Sequence, residues 1–294
     1  MKVNQLKVGA LLTYIAQGVN IVVGLVYTPI MLRLLGQNEY GLYQLVASVV
    51  AYLSLLNLGF GSSYVRFYSR YKVNEQKHEI TKLNGMFLVI FMVITLMTLF
   101  LGSFMVFNIE FVFGSGLTAS EYSTAKILMG FMVFNMSLTF PMSLFNSFIT
   151  AHEKFVFQKS LTVLQSLLNP FLALPLLILG YGSIGLVVVS TIITVTKFIL
   201  DLWYCFKKLN MKIVVSGFDI RLLSELWTFT FFIFLTQVIN QVNWNVDKFL
   251  LGRLSGTSAV AIYAVGNTLR SLYANFSTAI SYVFIPRVNK IVAE

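Results

Sequence analysis

Residues 17–43 read QGVNIVVGLVYTPIMLRLLGQNEYGLY, and residues 237–263 read QVINQVNWNVDKFLLGRLSGTSAVAIY. The two stretches align without a gap at an offset of 220 residues. Gln17/Gln237, Asn20/Asn240, Val26/Val246, Arg33/Arg253, Leu34/Leu254, Gly36/Gly256 and Tyr43/Tyr263 are identical pairs. Each copy is an apolar helix, then Arg-Leu-x-Gly, then a second apolar helix that opens with tyrosine. A membrane chain whose second half restarts its first half predicts two lobes, built from parallel repeats around a central path.

Composition places that repeat in a bilayer. The chain is 57% hydrophobic and 11% charged, where soluble domains carry about 25% charged residues. So few charges cannot clothe a water-exposed surface of 294 residues. The single cysteine, Cys205, excludes an internal disulfide. The two histidines, His78 and His152, lie in charged loops, and no metal-ligand spacing is present. The first apolar segment is too long for a signal-peptide core and lacks a small-x-small cleavage site, so it reads as a retained membrane helix.

About 20 apolar residues cross a bilayer as a helix. On that rule the expected fold is all-α and polytopic, with about eight transmembrane helices at roughly 8–33, 42–65, 85–108, 122–150, 160–179, 184–206, 226–251 and 258–285. Residues 1–206 are expected to form a six-helix lobe, 207–225 a cytoplasmic inter-lobe linker, and 226–294 the first two helices of a repeated second lobe. A repeat of about 220 residues with six helices predicts a complete protein of about 12 helices and over roughly 400 residues. On that expectation this chain is a truncated or partial sequence.

Charge placement sets the orientation. With the N-terminus in the cytoplasm, the cytoplasmic segments hold Lys2, Lys7, Arg66, Arg70, Lys72, Lys77, Lys82, Lys154, Lys159, Lys207, Lys208, Lys212, Arg221, Arg287 and Lys290. The opposite loops hold only Arg33 and Arg253, beside Glu39, Glu110 and Glu121. The net charge of +10 therefore reads as positive-inside topology and not as a nucleic-acid surface. The loops on the far side are short and leave no room for an extramembrane catalytic domain.

Two windows carry a resemblance. Pro29-Ile-Met-Leu-Arg-Leu-Leu-Gly-Gln-Asn-Glu-Tyr-Gly-Leu-Tyr43, followed by Leu58-Gly-Phe-Gly-Ser-Ser-Tyr-Val-Arg66, resembles the start of polysaccharide and oligosaccharide flippases. These are the Wzx-type members of the multidrug/oligosaccharidyl-lipid/polysaccharide exporter superfamily. Asp247-Lys-Phe-Leu-Leu-Gly-Arg-Leu-Ser-Gly-Thr-Ser-Ala-Val-Ala-Ile-Tyr263 is similar to the restart pattern of the same family. The resemblance implies two six-helix lobes around a cavity, alternating access, and a polyprenyl-pyrophosphate-linked glycan moved outward across the cytoplasmic membrane of a bacterium. It implies as partners the lipid-linked glycan, membrane lipid and other polysaccharide-export components, with no nucleic acid and no bound cofactor.

Ionisable groups within membrane helices are costly and are functional candidates by default. They are Lys126, Lys197, Asp201, Asp247, Lys248 and Arg270. Arg270 sits near the middle of the eighth helix, and its planar fork suits phosphate oxygens. It is expected either to grip a pyrophosphate or to pair structurally with Asp247 or another residue. Gln237, Asn240, Gln241, Trp244, Asp247 and Lys248 share one face of the seventh helix. Gln17 and Asn20 hold the equivalent face of the first. Amides and an indole suit sugar hydroxyls and ring faces, while plain interhelical hydrogen bonding is the alternative.

Asp247 reads as a local ion pair with Lys248 or Arg253, or as a coupling site for a cation or proton. Lys197 and Asp201, four apart, read as a self-satisfied pair, and Lys126 as a snorkelling residue. Arg66 and Arg70 sit at the cytoplasmic entrance, where they either recruit anionic headgroups or only set topology. The rival functions are a multidrug or cation antiporter of the same superfamily, a glycan-processing membrane enzyme, and a truncated membrane protein that transports nothing. The antiporter would be expected to carry an acidic cavity residue, and the enzyme a large catalytic loop.

Overall fold

The structure is a computed structural model that describes residues 4–114, 116–215 and 220–293, with side chains described throughout except at Leu6, 220–229, Leu272 and 275–293. Lys2, Arg221, Arg287 and Lys290, which entered the charge count, fall outside the described side chains. The helices are α1 (Gln5–Ala51), α2 (Phe60–Val73), α3 (Lys77–Phe107), α4 (Ile109–Phe113), α5 (Ala119–Ala151), α6 (Phe155–Ile178), α7 (Gly182–Trp203) and α8 (Ile220–Ala293). A 3-10 turn, Tyr52–Asn57, joins α1 to α2, and a π-helical turn, Tyr204–Lys208, ends α7. The chain is a polytopic all-α membrane protein.

Two of these helices are too long to cross once. α1 has 47 residues and α8 has 74, or about 70 and 110 Å at 1.5 Å per residue, against a hydrocarbon core of about 30 Å. Each is broken at one glycine. Gly36 has φ 77°, ψ 167° and Gly256 has φ 80°, ψ 179°. That conformation is open essentially to glycine alone, and it falls on the last residue of both Arg-Leu-x-Gly copies.

At Gly256 the chain folds back on itself. The Tyr263 hydroxyl donates to Asp247, 16 residues away, which a straight helix would hold about 24 Å apart. The equivalent residues Tyr27 and Tyr43 pack in one core cluster around Gly36. Splitting α1 and α8 at these glycines gives eight crossing segments. The expected loop at residues 34–41 shrinks to Gly36 itself, because Gln37–Tyr40 continue the next helix. The second crossing also runs on to Val73, through a break at Leu58 and Gly59 where both φ values are positive.

The α8 hairpin docks onto the first unit through small residues. Val260 enters the cluster built on Leu42, Leu45, Val49, Phe113 and Leu128. Ala261 and Ala264 enter the cluster of Met31, Leu35, Tyr40, Ala173 and Leu186. A Cβ on Gly41 would strike the Thr257 carbonyl, and one on Gly116 the Gly252 carbonyl. Here the two units approach backbone to backbone.

Towards the lysine-rich face a third cluster joins Phe60, Tyr64, Phe87, Phe91, Phe145 and Phe148 with Cys205 and Met211. The expected linker is partly docked there. Asn84 donates to the Lys212 carbonyl at 2.8 Å, and the Val214 N–H donates to the Thr81 carbonyl at 3.3 Å. Gly85 leaves the room in which the Val214 carbonyl lies. Phe100, Phe104, Phe107, Phe111, Phe171 and Ile178 are exposed, a lipid-facing belt that a water-soluble surface would not tolerate.

Candidate functional site

The α8 hairpin gathers a polar cluster between its two arms. The Arg270 guanidinium lies 4.5 Å from the centre of the Trp244 ring and donates to Asn243 Oδ1 at 3.4 Å. A cation over an indole face gains about 0.5–2 kcal/mol. Next along the hairpin, Asp247 accepts from the Tyr263 hydroxyl. Lys248 points the other way and donates to Gln44 Oε1 of α1 at 3.4 Å, and Gln44 donates on to the Tyr40 hydroxyl at 3.2 Å.

No ion pair of Asp247 with Lys248 or Arg253 forms among the described residues, where Lys82 pairs with Glu79 and Lys197 with Asp201. Neighbours on a helix point about 100° apart, so Asp247 and Lys248 serve different partners. Arg270 likewise meets Asn243 and Trp244 and forms no ion pair with Asp247.

The other expected residues spread along the faces around this cluster. Gln241 is half-buried, and its Nε2 is enclosed without a partner. Gln17 and Gln237 are half-buried, Asn20 and Asn240 exposed, and no hydrogen bond joins the α1 amides to the α8 amides among the described residues. Arg66 and Arg70 occupy the exposed side of α2, opposite buried Phe60, Tyr64, Phe67 and Tyr68. Arg70 lies 5.0 Å from the Phe67 ring centre. Lys197 and Asp201 form their pair at 3.0 Å with Asp201 fully buried, and Lys126 is exposed. Outside the membrane segments, burial holds the His152 imidazole below its usual range, and the charges of Lys72 and Lys154 add to that.

Asn243, Tyr263, Gln44 and Tyr40 escaped the sequence reading. For Asn243 and Tyr263 the signal was the fold-back, since residues paired across Gly256 sum to about the same number, whereas Gln44 and Tyr40 are brought in by the docking of α8 on α1. The repeated Tyr43/Tyr263 identity marked one of them.

Beyond the cluster, at the Gly36–Gly256 end, a cleft of about 530 Å³ is lined by Asn38, Glu39, Thr118, Glu121, Ser255 and Thr257. Polar contacts tie the units together there. Gln37 Nε2 donates to Ser258 Oγ at 2.6 Å, and Thr257 Oγ1 donates to Glu121 Oε1 at 2.7 Å. Within the first unit, Glu39 Oε1 accepts both the N–H and the hydroxyl of Ser183 at 2.7 Å.

The family described as polysaccharide biosynthesis protein matches residues 6–292. The chain belongs to this family. No curated protein sequence matches it. Among solved structures it is similar to a multidrug resistance MATE family transporter of the MOP superfamily in its inward-facing conformation, with TM-score 0.63 and 14% identity over 89% of this chain and 57% of that one. An outward-facing MATE family transporter of the same superfamily gives TM-score 0.63 and 13% identity over 97% and 68%. A MATE in complex with MaL6 gives 0.54 and 15% over 97% and 68%. The family member therefore has the MATE fold, and spans little more than half the length of the first of these transporters.

Proposed function

We propose that this chain provides the first lobe and the opening hairpin of the second in a transporter that flips a polyprenyl-pyrophosphate-linked oligosaccharide, from the inner to the outer leaflet of the bacterial cell membrane, for cell-surface polysaccharide. The lysine-rich face is cytoplasmic on this proposal, and the units rock about the seam between them.

The observation that carries the proposal is Arg270 laid on Trp244. An arginine fork suits pyrophosphate oxygens, and the indole with the Asn240 and Gln241 amides suits sugar rings and hydroxyls. The positions equivalent to Arg270, Trp244 and Asn243 in the first copy are Val50, Gly24 and Val23. The same backbone hairpin thus forms without the cluster, so folding alone does not account for it. Gln17, Asn20 and Gln237 extend the polar surface, Asp247 and Lys248 order its edge, and Arg66 and Arg70 face the cytoplasmic approach. Other polysaccharide-export components are the expected partners. A cation antiporter, the rival, needs an available cavity carboxylate. Asp201 is already paired with Lys197, and Asp247 with Tyr263.

The test is native mass spectrometry of the protein gently extracted from its own membrane, beside export measured in cells. Wild type should carry a polyprenyl-pyrophosphate glycan. Arg270→Ala should lose it and cut export at least about tenfold, the equivalent of 1.4 kcal/mol, at unchanged membrane insertion. Normal export by Arg270→Ala would remove the site. A lipid-free protein that binds cationic drugs would favour the antiporter.

A further inference from the structure

A second feature lies on the seam between the units. A mainly apolar trough of about 560 Å³ runs between the units, walled by Val49, Tyr52, Met105 and Phe111 on one side and by Val242, Val246 and Phe249 on the other. Arg253 stands at its mouth. The guanidinium is exposed and lies over Gly114, where a Cβ would come within 3.4 Å of its Nε. No carboxylate of the described residues pairs with it. Of the acidic residues at this end, Glu39 is engaged by Ser183 and Glu121 by Thr118 and Thr257, while Glu110 is exposed next to Phe111 in the chain and forms no ion pair with Arg253.

The length of the trough indicates what fits it. From Val242 to Arg253 is about 16 Å along a helix, close to half of the roughly 30 Å hydrocarbon core. The trough therefore runs from mid-bilayer to the membrane surface on the Arg253 side, the depth of one leaflet.

The repeat shows that this face is not simply awaiting cover from its own unit. Val242, Val246 and Arg253 correspond to Val22, Val26 and Arg33, identical at all three positions. Steps of four and eleven residues place the three on one helix face. In the first unit, which has six crossing segments, Val22 is 60% and Val26 58% exposed. The first copy of the stripe is not used to hold its unit together.

We propose that the trough is a seat for one anionic phospholipid of the leaflet on the Arg253 side. Its phosphate would lie on Arg253 and one acyl chain would run between Val246 and Met105 toward mid-bilayer. A lipid there lies between the two units, at the level where the Gln37–Ser258 contact closes them. The inference rests on the fold and not on the cargo assigned above.

The test is native mass spectrometry of the purified chain titrated with phosphatidylglycerol, and separately with phosphatidylcholine. Wild type should hold one phosphatidylglycerol in preference to phosphatidylcholine. Arg253→Gln should weaken phosphatidylglycerol binding about tenfold, the scale of one charge-assisted contact. Val246→Trp, which fills the trough and leaves the arginine in place, should weaken it by a comparable factor. Arg270→Ala should leave it unchanged, which separates this seat from the cargo site. Equal retention of phosphatidylglycerol by wild type, Arg253→Gln and Val246→Trp would overturn the proposal, as would equal binding of phosphatidylcholine.

Discussion

The hairpins around Gly36 and Gly256 are built on one frame and filled with different chemistry. Both break at a glycine of nearly the same φ and ψ, and both bring together residues 16 apart. In the first hairpin those residues are Tyr27 and Tyr43, with the Tyr27 hydroxyl buried and unpartnered. In the second they are Asp247 and Tyr263, hydrogen-bonded. Val50, Gly24 and Val23 of the first stand where the second has Arg270, Trp244 and Asn243. Val50 is a core residue, whereas Arg270 is exposed. The frame is therefore a matter of backbone and glycine, and the polar contents belong to one copy only. Since both units share the same membrane, the bilayer did not demand that difference.

The strongest test of the shared frame is to remove its glycines. Gly36→Ala and Gly256→Ala should each destabilise by about 1–3 kcal/mol, the range for a side chain forced into a glycine-only region. An added Cβ meets nothing within 4 Å at Gly36 and only the Gly116 carbonyl, at 3.8 Å, at Gly256. The cost is then backbone strain in both, and thermal unfolding in detergent should give the two variants equal shifts. A shift at one glycine alone would mean that the copies do not share a frame.

Unequal effects are expected one step inward. Tyr263→Phe leaves Asp247 without its donor and should cost about 1–3 kcal/mol, the range for a polar group stripped of its partner. Tyr43→Phe in the first copy, whose counterpart is Tyr27 and not a carboxylate, should cost less. Equal losses would mean that Tyr263 serves as packing and Asp247 is satisfied by water.

The frame was legible in the sequence because its cause is local. Glycine after Arg-Leu-x recurs at a fixed offset, and helices of 47 and 74 residues cannot cross a core of about 30 Å singly. The partners were not legible where the fold decides them. Asp247 has basic neighbours in sequence, yet its donor is Tyr263, brought back by the turn. The docking of Lys212 and Val214 beneath α3 depends on Asn84 and on the bare backbone of Gly85, residues about 128 positions away with no period to connect them. The amide stripe of the seventh crossing was visible from its spacing, but Arg270 joined it only through the fold-back, which sets the eighth crossing beside it.

The smallest expected effect is at positions 37 and 257, which the offset makes equivalent. Each reaches across the seam. Gln37 donates to Ser258 from an exposed position, and Thr257, only 5% exposed, donates to Glu121. A hydrogen bond contributes about 0.5–1.5 kcal/mol net, and less where water can replace the partner. Thr257→Val keeps the shape and removes the donor, so it should fall within that range, while Glu121 keeps its contacts to the Thr118 N–H and hydroxyl. Gln37→Ala should cost less than Thr257→Val, because both of its ends are reachable by water. The double variant separates a seam from two isolated contacts. Additive losses would describe independent bonds, whereas a coupling above about 0.5 kcal/mol would mean that the equivalent positions close the two hairpins as one contact.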